Sequence, residues 1–186
     1  MMNKVLVNAI TGLRVLLTVA IVSVIMMQGK HLVPITILFV LIGLSDFIDG
    51  KLARKLGVAT KNGAIFDVIA DLFYITSTTG ILIYRGMMPG WFLLVIGGKF
   101  LEFLLTSNYM KTHSKSEDVF ISDKLGRGVA IMFYGMPYVS LVAYGIVPIL
   151  CSIIAILSTC SSFHRVRSCL SFVISSKKAT DLAQYY

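Results

Sequence analysis

Six apolar blocks, each close to the width of a bilayer's hydrocarbon core, run through this chain of 186 residues. They cover Ala9–Met27, Leu32–Ile48, Gly63–Tyr84, Gly90–Leu105, Gly126–Tyr144 and Val147–Phe163. A helix rises 1.5 Å per residue, so about 17–25 apolar residues cross a membrane, and inside lipid the helix satisfies its own backbone. The blocks therefore predict an all-α integral membrane bundle of six transmembrane helices. Composition agrees: 56% of residues are hydrophobic and 14% charged, against about 25% charged in soluble domains. The first block follows Lys4 as a signal peptide's would, but it starts polar (Asn8, Thr11, Arg14) and has no small-residue cleavage site. It reads as a retained helix. No soluble domain fits between blocks, so the chain reads as one domain over residues 1–163 with a basic tail over 164–186.

The net charge of +8 would point to nucleic acid in a soluble protein. Here its distribution points to the membrane instead. Lys51, Arg54, Lys55 and Lys61 follow the second block, Lys111, Lys115, Lys124 and Arg127 follow the fourth, and Arg165, Arg167, Lys177 and Lys178 follow the sixth. The alternate loops hold only Lys30 and Arg85. Basic residues stay on the cytoplasmic side, so both termini and the two basic loops are expected there. Cys151, Cys160 and Cys169 show no CxxC pairing and read as small apolar residues, and His31, His113 and His164 are scattered.

Nine residues are acidic, and four of them stand at the inner ends of two apolar blocks. The second block closes on Asp46 and Asp49, and the third opens on Asp67 and Asp71. Spacings of three and four put each pair on one helix face. A bare carboxylate within a membrane costs about 2.5–3.5 kcal/mol on insertion scales, so such groups pair or serve a function. Converging carboxylates repel unless cations hold them, and hard divalent ions prefer oxygen ligands. Salt bridges to Lys51, Arg54 or Lys55 are the plain structural alternative.

The same segment carries an ordered pattern: Asp46-x2-Asp49-Gly50-x2-Ala53-Arg54-x8-Gly63-x3-Asp67-x3-Asp71. Eight specified positions, at ordinary usage of about 5–8% each, match by chance roughly once in 10¹⁰ starting points. The pattern resembles the defining motif of the CDP-alcohol phosphatidyltransferase family, and a short chain with the motif bridging spans two and three agrees with that family's layout. The resemblance implies transfer of a phosphatidyl group from CDP-diacylglycerol to a small alcohol or alcohol phosphate, with release of CMP. It implies that Asp46, Asp49, Asp67 and Asp71 bind Mg²⁺ or Mn²⁺, in all two ions. Asp71 would also be the catalytic base toward the attacking hydroxyl, and Gly50, Ala53, Arg54 and Gly63 would line the nucleotide pocket. A homodimer in a prokaryotic plasma membrane is implied as well. The chemistry suits the residues: glycines admit a crowded ligand, and a planar guanidinium suits a diphosphate. Taken singly, a glycine at a helix end is a cap and Arg54 a cytoplasmic anchor.

The acceptor is read from ISDKLGRGVA, where Lys124 and Arg127 lie three residues apart. This stretch, and the opening NAITGLRVLL, resemble those of phosphatidylglycerophosphate synthases, whose basic residues receive an acceptor phosphate. Membrane-surface charge explains Lys124 and Arg127 equally well. Those synthases commonly read Asp-Pro-x-Ala-Asp-Lys where this chain has Asp67-Val68-Ile69-Ala70-Asp71-Leu72. Glycerol 3-phosphate is thus the first expectation, with inositol phosphate, serine or another alcohol as alternatives. An intramembrane prenyltransferase and a cation or proton transporter are the competing readings. The first normally needs a longer chain, and the second favours acids at the midplane rather than at one end. Two further features lie outside the motif. Lys99 and Glu102, three apart in span four, are expected to form an intramembrane ion pair, and the basic tail to lie on the membrane surface.

Overall fold

The structure, a computed structural model, describes residues 2–27, 32–55, 61–113 and 124–183, with side chains at 11–27, 32–48, 51, 63, 65–109 and 125–171. All the regular structure among these residues is helical. The helices are α1 (Met2–Met26), α2 (Leu32–Lys55), α3 (Lys61–Tyr84), α4 (Phe92–His113), α5 (Lys124–Val142) and α6 (Val147–Ala183), with a 3-10 turn at Tyr144–Ile146 before the last. Each expected block is one helix, and the outer edges agree closely. The inner ends run on: α2 reaches Lys55, α4 His113 and α6 Ala183. The last extension revises the picture of the tail. Residues 164–183 continue the sixth helix without a break at Phe163, so they are not a separate surface segment.

Four stretches are long and apolar enough to cross a membrane: Ile65–Tyr84, Phe92–Tyr109, Leu125–Val142 and Tyr144–Ser171. In α1 and α2 the described apolar parts, Thr11–Met26 and Leu32–Ile48, are shorter, although the helices themselves have 25 and 24 residues. At 1.5 Å per residue either is about 36 Å long, enough for a bilayer core of about 30 Å.

What faces inward marks a membrane protein more sharply than hydropathy does. Thr11, Arg14, Thr18, Ser45, Thr78, Thr79, Thr106, Ser140, Ser158 and Ser161 are buried, while Leu16, Val33, Leu94, Ile131 and Phe163 are exposed. The buried polar residues share the interior with apolar residues such as Ile25, Ile42, Tyr74 and Phe92. In lipid, burying leucine against leucine gains nothing, so small and polar residues take the helix contacts and large apolar ones face the tails. Buried threonines and serines turn their hydroxyls onto the preceding helical turn, as Thr18 does to the Arg14 carbonyl at 2.8 Å and Thr78 to the Tyr74 carbonyl at 2.6 Å.

The chain divides into two compact units. The first comprises Met1–Pro89 and Tyr134–Pro148. Within it, α1 packs on both α2 and α3. The inward face of α1 is Thr11, Arg14, Thr18, Ile21 and Ile25, and that of α3 is Ala70, Tyr74, Thr78 and Leu82. These are three- and four-residue steps, the spacing of one helical stripe. The end of α5 joins through aromatic contacts. Tyr138 stacks on Phe39 with ring centroids 4.8 Å apart, and Tyr134 tilts against Tyr74 at 4.5 Å. At the outer end α3 stops at Gly86, whose φ of 72° is the left-handed conformation that glycine adopts freely. The Gly86 amide donates to the Ile83 carbonyl at 2.9 Å and the Met87 amide to the Leu82 carbonyl at 2.8 Å, which together form a Schellman stop. Beside it the Arg85 guanidinium donates to the Ile25 carbonyl, placing a cation at the negative end of α1.

The second unit comprises Gly90–Phe133 and Ile149–Tyr186. Its buried positions include Phe92, Ile96 and Thr106 on α4, and Cys151, Ile154, Ser158, Ser161 and Cys169 on α6. The expected Lys99–Glu102 pair is present at 2.8 Å, and it belongs to a larger clamp. Lys99 also donates to Ser161 at 3.0 Å and Ser162 at 3.1 Å on α6. From α6, Arg165 donates to Thr106 at 2.9 Å and Ser107 at 3.0 Å. The three cysteines are free thiols, Cys151 and Cys169 being buried.

Candidate active site

The site grows from two helix faces. Asp67 and Asp71 are four residues apart on α3, at the inner end of the stripe that continues through Tyr74 and Thr78. Asp46 stands near the inner end of the apolar part of α2. Because α1 packs on both helices, a residue of α1 can reach all three acids. That residue is Arg14. One of its guanidinium nitrogens, Nη1, lies 2.8 Å from the Oδ1 of Asp67 and 2.7 Å from the Oδ1 of Asp71, and Nη2 lies 3.0 Å from the Oδ1 of Asp46. The fork of donors is what lets a single cation serve carboxylates on two helices. The Arg14 side chain is fully buried, whereas those of Asp46, Asp67 and Asp71 are 45%, 32% and 36% exposed. The cation thus forms the inner side of the cluster, and the acids keep an accessible side.

The structure therefore brings together three of the four expected carboxylates. The side chains of Asp49, Ala53, Arg54 and Lys124 lie outside the described residues, as does the surroundings of Gly50. The backbone places residues 49, 50, 53 and 54 in the last turns of α2 and residue 124 at the first position of α5. Gly63 is in the first turn of α3, half-buried. Arg127 is exposed in the first turns of α5, within the second unit. Lys51 lies with its ammonium 5.6 Å from the Phe47 ring centre, along its own helix.

Arg14 is the residue whose role the sequence reading missed. It appears there as part of a polar helix start and of a short resemblance, without a partner. The signal was available: an arginine inside an apolar helix, on a stripe with Thr11 and Thr18, needs a buried carboxylate. Among the described side chains, Asp46, Asp67 and Asp71 pair with this more distant partner on α1; the side chains of Arg54 and Lys55, which the plain alternative names, lie outside the described residues.

Whether these residues suit a divalent metal can be judged from the donor set. Among the described residues no three His, Cys, Asp or Glu side chains stand close enough to share one ion as they are placed. Asp46, Asp67 and Asp71 are instead spaced around a guanidinium. Their chemistry nonetheless fits a hard cation. All the donors are carboxylate oxygens, no sulfur or imidazole competes, and each side chain is partly accessible. If all three carboxylates ionise, they outnumber the one guanidinium by two charges, which a divalent cation would neutralise.

Known proteins bear on this geometry. The chain is 35% identical over 71 residues to a protein of Streptomyces coelicolor named cardiolipin synthase (CMP-forming), covering 38% of this chain and 33% of the relative. It is 31% identical over 83 residues to a protein of Bacillus subtilis named CDP-diacylglycerol–glycerol-3-phosphate 3-phosphatidyltransferase, covering 42% of each. The chain thus spans well under half the length of these curated relatives. The family match is broader, for the CDP-alcohol phosphatidyltransferase model covers residues 4–161. It includes α1 with Arg14, the aspartates of α2 and α3, and all of α4 and α5. A carboxylate cluster carried by this motif and a family match running through five helices lead to one conclusion: the chain belongs to the CDP-alcohol phosphatidyltransferase family.

Proposed function

We propose that the chain transfers a phosphatidyl group from CDP-diacylglycerol to a small phosphorylated alcohol, glycerol 3-phosphate first, and releases CMP. The observation that carries the proposal is the convergence of Asp46, Asp67 and Asp71, from two helices, at the accessible side of a buried arginine. With Asp49 these residues would hold Mg²⁺ or Mn²⁺, which when bound would neutralise pyrophosphate oxygens and the leaving CMP. Asp71 is the group assigned to the incoming hydroxyl. Its work would be to orient that hydroxyl and accept its proton as the bond to phosphorus forms. Gly50, Ala53, Arg54 and Gly63 are assigned to the nucleotide by the motif. Lys124 and Arg127 are assigned to the acceptor phosphate by charge and resemblance. The distribution of basic residues supports a site and both termini on the cytoplasmic side, and the bacterial relatives support a bacterial plasma membrane.

A second acceptor is favoured by the Streptomyces coelicolor relative, named a CMP-forming cardiolipin synthase. Cardiolipin holds two phosphatidyl groups on one glycerol, so a CMP-forming route to it takes phosphatidylglycerol as the alcohol. The experiment is CMP release by the purified chain in detergent with CDP-diacylglycerol, Mg²⁺ or Mn²⁺, and one acceptor per reaction. The acceptors are glycerol 3-phosphate, inositol 1-phosphate, phosphatidylglycerol, inositol and serine. Release with glycerol 3-phosphate supports the proposal, release with phosphatidylglycerol alone replaces the acceptor, and release with none overturns the activity.

A further inference from the structure

Arg14 stands at the centre of the aspartate cluster, yet it lies outside the motif and has no part in the transfer derived above. Its placement is demanding. It is fully buried on α1 and ion-paired to α2 at 3.0 Å and to α3 at 2.8 and 2.7 Å, so it ties three helices together at one point. Carboxylates drawn this near to one another repel when ionised, and a cation standing among them relieves that repulsion. A guanidinium sealed on the inner side cannot leave without stranding its charge among apolar helices. Meanwhile the aspartates remain between 32% and 45% exposed on the other side, where a second cation can reach them.

We infer that Arg14 is a resident stand-in cation: it holds the carboxylate site together before a divalent metal arrives, and it opposes that metal electrostatically once it is bound. The inference rests on the proposed metal binding by these aspartates. Either cation suffices to hold the acids, so their contributions to stability overlap instead of adding. Two consequences follow from linkage. Loss of the Arg14 charge harms the metal-free protein more than the metal-bound one, and the variant binds the metal more tightly than the parent.

The test uses the full chain in detergent, as parent, Arg14→Gln and Arg14→Lys. Thermal unfolding is followed in chelator and in saturating Mn²⁺, and Mn²⁺ affinity is read from the free-ion electron paramagnetic resonance signal during titration. In chelator, Arg14→Gln is expected to melt about 10 °C below the parent, as the loss of three charge-assisted contacts implies. In Mn²⁺ that deficit falls by at least about half, and Mn²⁺ binds at least about threefold more tightly. Arg14→Lys keeps the charge without the fork and shows a smaller deficit that Mn²⁺ also reduces. Should Arg14→Gln yield no folded protein, the lysine variant carries the stability criterion: a deficit in chelator that Mn²⁺ reduces. A deficit unchanged by Mn²⁺, or weaker Mn²⁺ binding in the variants, overturns the stand-in role while leaving the metal site intact. A parent that binds no Mn²⁺ overturns the metal reading, and the inference with it.

Discussion

Glu102→Gln probes the polar clamp that joins α4 to α6 in the second unit. Glu102 is 14% exposed and takes hydrogen bonds at Oε2 from Lys99 at 2.8 Å and Ser162 at 3.2 Å. Its Oε1 lies 3.6 Å from Arg165 Nε. Lys99 is 11% exposed and Arg165 15%, so neither cation is well hydrated. The glutamine keeps the volume and removes the charge. Stranding a partner of a buried ion pair costs about 3–5 kcal/mol, whereas a neutral hydrogen bond between membrane helices averages about 0.6. Glu102→Gln should therefore lose several times more than Ser162→Ala. For a chain of this size, where about 1 kcal/mol shifts melting by about 2–4 °C, the expected fall is roughly 8–15 °C. Melting in mild detergent is read by helical circular dichroism and by labelling of the buried thiols Cys151 and Cys169 with a maleimide dye. The double variant Lys99→Met with Glu102→Leu removes the pair together and should recover part of the loss, since Arg165 keeps the hydroxyls of Thr106 and Ser107. A glutamine variant that melts within a degree or two of Ser162→Ala would refute the argument that Glu102 acts through its charge.

Asp67→Asn removes one of three carboxylates around Arg14 and should lower CMP release by about 100-fold or more, judged by single-acceptor assays. Near-parental turnover would end the catalytic reading of the cluster. Arg127→Ala should raise KM for glycerol 3-phosphate by about tenfold while leaving it unchanged for an acceptor without phosphate. An equal rise for both acceptors would return Arg127 to the membrane surface. Gly86→Ala meets no atom within 4 Å, so its cost is that of a left-handed φ alone, about 1 kcal/mol. A melting loss well beyond about 4 °C would mean that more than backbone conformation is at stake there.

Much of the fold was legible because lipid imposes a simple rule on sequence. Apolar runs of the right length must be helices, and five of the six expected starts agree with the helices within two residues. The first helix starts seven residues earlier, at Met2, because Asn3, Lys4 and Asn8 interrupt its apolar run there. The inner ends were missed for the same reason: α2, α4 and α6 continue as helix beyond their apolar parts. The Lys99–Glu102 pair could be read from a three-residue spacing on one helix. Arg165, Ser161 and Ser162 could not, since about sixty positions separate them from their α4 partners.

By itself, the sequence determined which charged groups this protein gathers at the ends of two of its apolar helices. Four aspartates at helical spacing cannot sit idle in lipid, and their spacing to Gly50, Arg54 and Gly63 marks the family. What it left undetermined is the countercharge. Several basic residues flank the aspartates in sequence, and proximity along the chain favours Lys51, Arg54 and Lys55. Among the described side chains the tertiary structure sets Arg14 beside Asp46, Asp67 and Asp71, because packing of α1 against both α2 and α3 brings one guanidinium within 3.0 Å of all three. Helical spacing is set by the backbone and can be read locally. A cation's choice among distant carboxylates is set by which helices touch, and only the folded chain decides that.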